Sequence, residues 1–347
     1  MSRILTRAQL EVAADQWLAQ GKQVAGPRRM HEDFVQYAWL TRGDELVTSG
    51  FVRPANSTKE FLLPRHEKLF AYQGQGRQVS LVTIEASQTE QIILAARPCD
   101  AAALPILDHV FGWDYQDPFF RQRRARTTVV TLACTTHDPH CFCTGVGLAP
   151  DATRGSDVLL VPLDDHSFEV RFVTERGRQL IEPLTEESQQ VGTVPPGPDM
   201  AFDLSAVQSR LEDAWEQVPW SLLTMRCVGC GACAHNCPTC HCFDIVDEAS
   251  RPSGCRVRNW DSCQDNMYSM HASGHNPRGN QSARQQNRIR HKFLTYPAKF
   301  GDLLCTGCGS CVRNCPVGLG VRRVLQQIST LPVETLAPAS ATGAETH

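Results

Sequence analysis

A chain of 347 residues, 41% hydrophobic and 20% charged, has room for two or three compact units. Its net charge of −3 gives no support to nucleic-acid binding or to an acidic tail. The 16 cysteines, about one residue in twenty, are too sparse for a small secreted disulfide scaffold; with no signal-type apolar core in Met1–Gly21, they point to metal binding in a reducing, cytoplasmic setting. No stretch approaches the roughly twenty apolar residues of a membrane span.

In chain order, Thr6 and Gln9 make a capping box ahead of Leu10, Ala13, Ala14, Trp17 and Leu18, which predicts a helix stopped by Gly21. From about residue 30 to 190 the pattern is mixed α/β. Asp44–Arg53 and Val79–Ile84 read as short strands, and Thr89–Ala96 as a buried one. Asp100 is placed to cap a helix through Ala103, Leu104, Leu107 and Val110, with Pro105 near its first turn. Thr127–Ala133 reads as a second buried strand, and Asp157–Pro162 with Ser167–Val173 as a hairpin. The loops after the two buried strands carry thiols: Cys99 on one, Cys134, Cys141 and Cys143 on the other. Sites assemble at such strand ends, and four thiols there suffice for a metal centre. Buried structural cysteines are the alternative.

Gly192–Met200, with three prolines and two glycines, marks a boundary, so the expected division is 1–191, a linker at 192–202, and a second unit at 203–330. Asp203–Gln217 reads as a helix with Leu204, Val207, Leu211, Ala214 and Trp215 on one face. It leads into Cys227, Cys230, Cys233 and Cys237-Pro238, a pattern repeated at Cys305, Cys308, Cys311 and Cys315-Pro316. Both read C-x2-C-x2-C-x3-C-P, the run with which bacterial ferredoxins hold two [4Fe–4S] clusters. The fourth thiolate of each run serves the other cluster, so the expected sets are Cys227, Cys230, Cys233 with Cys315, and Cys305, Cys308, Cys311 with Cys237. Zinc, the competing reading, usually takes two separated C-x2-C pairs. The expected fold is α+β: a mixed α/β N-terminal domain, then a ferredoxin-like domain with a long insertion at 239–304.

The thiols outside these runs fit one or two more clusters. Cys99, Cys134, Cys141 and Cys143 would make the third. Within the insertion, Cys240, Cys242 and Cys263, with Cys255 less certain and His241, His271 and His275 nearby, would make a fourth, unless they merely pack beside a neighbouring cluster. Arg284, Arg288, Arg290, His291 and Lys292 have helical spacing and read as a solvated face or docking patch rather than a nucleic-acid surface; Arg121, Arg123, Arg124 and Arg126 are read the same way. Arg226 and Arg313, beside the cysteine runs, are positioned to raise a cluster's potential. The tail, 331–347, is rich in Pro, Ala, Thr and Ser and reads as mobile.

From about Glu60 to Val324 the sequence resembles a family of 4Fe–4S dicluster proteins: the iron–sulfur β subunits of cytoplasmic [NiFe] hydrogenases (sulfhydrogenases) and the dicluster subunit of anaerobic sulfite reductase. The strings that carry this are Phe61-Leu62-Leu63-Pro64 with Glu67, Arg97-Pro98-Cys99-Asp100, Leu107-Asp108, Cys141-Phe142-Cys143, Cys237-Pro238-Thr239-Cys240-His241-Cys242-Phe243-Asp244, Trp260-Asp261-Ser262-Cys263, Gly274-His275-Asn276-Pro277-Arg278 and His291-Lys292. The resemblance implies an electron conduit. Its partners would be a flavin-containing subunit that meets NAD(P)H or another donor, and a catalytic subunit of hydrogenase or reductase type. Cys255 falls outside the pattern, which weakens a fourth cluster built on four cysteines. Two other functions remain open: a reductase whose substrate meets a cluster of this chain, and a redox-sensing scaffold.

Overall fold

The structure is a computed structural model that describes residues 2–75, 78–85, 87–200, 202–250 and 252–331. All of the expected tail except Leu331 lies outside the described residues. The fold is α+β, with two sheets.

The larger sheet is built around two strands that are buried throughout, β6 (Gln91–Ala96) and β7 (Thr127–Leu132). Buried on both faces, they can consist of continuous apolar and β-branched runs, and they lie parallel to each other as such strands usually do. β2 (Gln23–His31) joins β6 in parallel and β8 (Val158–Pro162) joins β7 in parallel. Antiparallel strands complete the two flanks: β3 (Phe34–Trp39) beside β2, and β9 (Ser167–Phe172), β1 (Ser2–Thr6) and β10 (Glu186–Ser188) beyond β8. β8 and β9 form the expected hairpin. The helix Arg7–Ala19, started by the Thr6/Gln9 capping box, buries Leu10, Ala13, Ala14 and Trp17 against this sheet.

The smaller sheet has the order β11 (Phe243–Ser250), β12 (Ser253–Trp260), β4 (His66–Gln75), β5 (Gln78–Thr83) and is antiparallel throughout. It joins a hairpin of the insertion to a hairpin that precedes the 192–202 stretch, so chain from both sides of that stretch shares one set of backbone hydrogen bonds. Glu67 on β4 fixes the join: Arg258 of β12 and Arg123 of the helix Pro118–Ala125 both bind its carboxylate, and all three side chains are buried. Arg258 also binds Asp117. Arg123 is thus a buried bridge rather than part of a solvated basic face.

Three local expectations are corrected. Asp44–Arg53 forms no strand: Gly43–Glu45 is a single turn and Leu46 makes an isolated bridge to Arg28. Gly43 is held there by close approach, because a Cβ would stand 1.9 Å from the carbonyl oxygen of Glu11. Asp100 does not cap a helix; the turn Pro98–Ala101 starts after Arg97, with Pro98 at its first position. The helix expected over Asp203–Gln217 is regular only over Leu204–Asp213, since Ala214 leaves helical geometry at φ −133°.

Candidate metal centre

The two cysteine runs adopt matching local folds. Gly229 and Gly231 in the first, and Gly307 and Gly309 in the second, all have φ between 63° and 73°, where a side chain is strained. Each run then enters a short helical turn, Ala232–His235 or Ser310–Arg313. Cys233, Cys237, Cys308 and Cys311 are buried, Cys227, Cys305 and Cys315 half-buried, and Cys230 exposed. The helices Leu204–Asp213, Gln281–Arg290 and Val321–Ser329 pack round them, so the thiols sit in an apolar core with Val207, Leu211, Phe293, Val324 and Leu325.

Donors point at these sulfurs. Gln285 Nε2 donates to Cys227 Sγ (3.1 Å), the Leu319 amide to Cys315 Sγ (3.2 Å) and the Val321 amide to Cys311 Sγ (3.4 Å). Lys292 Nζ donates to Cys237 Sγ (3.4 Å), to Thr239 Oγ1 (3.1 Å) and to the Leu304 carbonyl (2.8 Å). Lys292 and Arg288 are both buried, against the expectation of a solvated basic face, as is Arg284. Lys59, also buried, donates to the carbonyls of Ala234 (3.1 Å) and Cys240 (2.9 Å). Burial works to lower the Lys292 ammonium, but the facing Cys237, Cys240 and Cys305 outweigh it and hold it above the usual lysine range. Burial pushes the thiols of Cys233 and Cys305 up to about 12. At neutral pH the metal-free chain keeps protons there, and metal must displace them.

Cys99 and Cys134 follow the carboxyl ends of the adjacent parallel strands β6 and β7. With Cys141 and Cys143 they line one cavity, which Arg53, Arg97, Gly307 and Cys308 also line. Near the end of β6 the register shifts and Ala95 takes φ 50°, a bulge next to the loop that carries Arg97 and Cys99. This group touches the second run directly. The Phe142 amide donates to the Gly307 carbonyl (2.9 Å), and a Cβ at Gly307 would stand 2.5 Å from Cys143 Cα. Arg53 ion-pairs with Asp100 and binds Ser310. Arg313 binds Asp138 and donates to Cys141 Sγ (3.0 Å), so it faces the N-terminal thiols, whereas Arg226 is exposed.

In the insertion, Cys242 and Cys263 lie within hydrogen-bonding reach of each other, and Cys240 of Cys237. Cys240 also faces Cys242, and Tyr268 bonds Cys242. Cys255 is not with them: on β12 it pairs across the sheet with Glu248 and Ala71. His271 and His275 meet edge to face, ring centres 5.5 Å apart, and both are exposed.

The donor set fits clusters. Among the described residues, no three His, Cys, Asp or Glu side chains converge as a single-ion site requires. Four buried donors beside cysteines have no acceptor among the described residues: Nε of Arg53, Arg97 and Arg288, and Oγ1 of Thr306. Sulfur atoms of a bound cluster would supply acceptors. No residue pattern signals these orphan donors, since their acceptors lie outside the polypeptide.

Residues 226–319 match the family model of the 4Fe-4S dicluster domain. The match spans both cysteine runs, and with them two [4Fe–4S] clusters. The chain is also 27% identical over 321 residues to sulfhydrogenase 2 subunit beta of Pyrococcus furiosus, a match covering 88% of this chain and 92% of that protein. The chain is thus similar to an iron–sulfur β subunit over nearly its whole length, and it carries a 4Fe-4S dicluster domain. It is an iron–sulfur electron-transport protein, and its similarity to that β subunit reaches well beyond the dicluster segment into the N-terminal sheet. No solved structure gives a significant match. Among the described residues, no helix is long and apolar enough to cross a membrane.

Proposed function

We propose that the chain is the electron relay of a cytoplasmic multi-subunit oxidoreductase, set between a flavin- or NAD(P)H-type donor subunit and a catalytic subunit of hydrogenase or reductase type. Cys227, Cys230, Cys233 and Cys315 hold one cluster, and Cys305, Cys308, Cys311 and Cys237 the other. Cys99, Cys134, Cys141 and Cys143 hold a third. Each bound cluster takes up and passes on one electron with little change of shape. The polypeptide supplies the rest: small-residue loops that admit the clusters, amides and cations aimed at sulfur, and an apolar shell that keeps water out.

The observation that supports the reading is the cavity lined by four N-terminal thiols and Cys308, where a third centre would lie against the second run. Iron and acid-labile sulfide tell the alternatives apart. The anaerobically purified chain should hold about twelve of each, and Cys134→Ser about eight, by the four-iron stoichiometry of a cubane. A wild-type count of about eight would remove the third centre. Cys308→Ser should lose cluster signals and electron throughput together; a variant with full iron and full activity would refute the assignment.

A second reading rests on Cys240, Cys242 and Cys263. With Cys255 held in the sheet, Cys242 lies against Cys263 and faces Cys240, and a cluster on these three thiols would keep one coordination place open. A chain with such a site would act as a reductase in its own right. Turnover of a sulfur substrate by the isolated chain with an artificial donor would favour this reading.

A further inference from the structure

The two cysteine runs share a fold but differ in the charge aimed at their sulfurs. Around the first-run set the hydrogen bonds to sulfur come from neutral groups, the Gln285 amide on Cys227 and the Leu319 backbone amide on Cys315, while the buried Arg288 donates to the Cys233 carbonyl (3.2 Å) and faces Cys311 and Cys237 as well as Cys233, and Cys230 is open to solvent. Around the second-run set one contact is a buried cation. Lys292 is 2% exposed, and its three N–H groups are all engaged, on Cys237 Sγ, Thr239 Oγ1 and the Leu304 carbonyl. Thr239 itself lies 3.2 Å from Cys237 Sγ and donates to Leu304 (2.8 Å), so the ammonium closes a small network joining the end of the first run to the residue before the second. The backbone aims it there. The regular helix Gln281–Arg290 gives way to a π-helical turn, His291–Thr295, and the Leu304 amide bonds the Lys292 carbonyl (3.2 Å). Such a turn inserts one residue and re-aims the side chains on it, a device that recurs at functional sites.

We propose that Lys292 sets the second-run cluster as the high-potential member of the pair, making it the electron well of the relay. The inference rests on the assignment of Cys237 to that cluster. Its physics is one-signed. Reduction adds one electron to a cluster and its four thiolates, with no bond made or broken, and so raises the negative charge facing Lys292. A fixed cation in a low-dielectric interior stabilises that reduced form more than the oxidised one. The first-run cluster, beside exposed Cys230, has only neutral donors on its sulfurs and shares Arg288 with the second-run set, so the charge of Lys292 is the part that falls on one cluster alone. An electron arriving from either side therefore comes to rest on the interior cluster before it moves on.

The test is an EPR-monitored redox titration of the full chain, wild type against K292Q and K292R, with iron and sulfide counted on the same samples. The wild type should show the dicluster signals titrating at two separate potentials. In K292Q, with full metal content, the higher one should move down and the lower one stay; K292R should titrate close to wild type. An unmoved higher potential in K292Q, or a shift of the lower one instead, overturns the inference and leaves the relay standing. A wild-type chain with no titrating cluster overturns the relay itself. Should K292Q fail to hold its cluster, T239V, which removes one anchor of the ammonium and one contact to Cys237, should show a smaller downward shift of the same signal; its absence is equally fatal.

Discussion

Burying Lys59, Arg288 and Lys292 carries a desolvation penalty on the order of several kcal/mol per ion, and the contacts they make explain how it is offset. Their partners are carbonyls, a threonine hydroxyl and cysteine sulfur, with thiols as the facing acidic groups. The compensating negative charge belongs to the thiolates of a metal-loaded site, which is why a run of cations at helical spacing reads from sequence as a wet face. The neighbouring histidines follow the same logic in reverse. His291, its ring 5.5 Å from that of His241, is pushed down to about 3, first by burial and then by His241 and Lys292. An unfolded histidine titrates near 6.5. Below that pH the unfolded chain takes up a proton that the folded chain refuses, so the stability contributed by neutral His291 is complete above about 6.5 and drains away as pH falls toward 3. Thermal denaturation of H291Q between pH 7 and 5 should show a shallower acid decline than wild type. Some slope should remain, because burial also pushes His241 down, to about 4. Identical slopes for the two proteins would mean that His291 titrates normally.

Among the elements, the join between β4 and β12 depends on one carboxylate. Glu67 faces Arg123 and Arg258 at once, all three buried, with Asp117 the other acid in reach of Arg258. Truncating one member of a buried ion network typically costs about 3–5 kcal/mol because the partners stay desolvated. E67A should therefore unfold at markedly lower denaturant concentration. Fluorescence of Trp260, whose indole donates to the Leu63 carbonyl, can report it. A midpoint equal to wild type would show that Arg123 and Arg258 find other partners or water. This pairing also marks how far the sequence can be read. The Thr6/Gln9 cap is legible because both partners lie within one turn, and β6 and β7 are legible because doubly buried strands must be apolar throughout. From those strands follow the places of Cys99 and Cys134. The pairing of His66–Gln75 with Ser253–Trp260 is not legible, since nothing local in either segment specifies a partner nearly two hundred residues away. Nor is the failure of Asp44–Arg53 to form a strand, which turns on the close approach of Gly43 to the helix Arg7–Ala19.

At the scale of the whole molecule, two separate cores respond differently to metal. The one beneath the helix Arg7–Ala19 is made of Leu10, Trp17, Ile92, Val130, Leu160 and their neighbours, and contains no cysteine. The other includes Cys233 and Cys311 among its buried members, with Cys227, Cys305 and Cys315 packed against it. Taking metal from that second core leaves space among its side chains, returns protons to thiols and strips the buried cations of their counter-charge. The first core loses nothing of the kind. Anaerobic chelation should accordingly split unfolding into two steps. Proteolysis would begin within 203–331, and amide exchange would accelerate in the helices Leu204–Asp213, Gln281–Arg290 and Val321–Ser329. The centres of β6, β7 and β8 should keep their protection, with loosening confined to the strand ends beside Cys99 and Cys134. Hydrogen exchange with mass spectrometry on matched metal-loaded and metal-free samples reads this directly. Uniform protection after complete iron loss would show that the second core stands without clusters, while simultaneous collapse of β6 and β7 would show that the two cores fold as one.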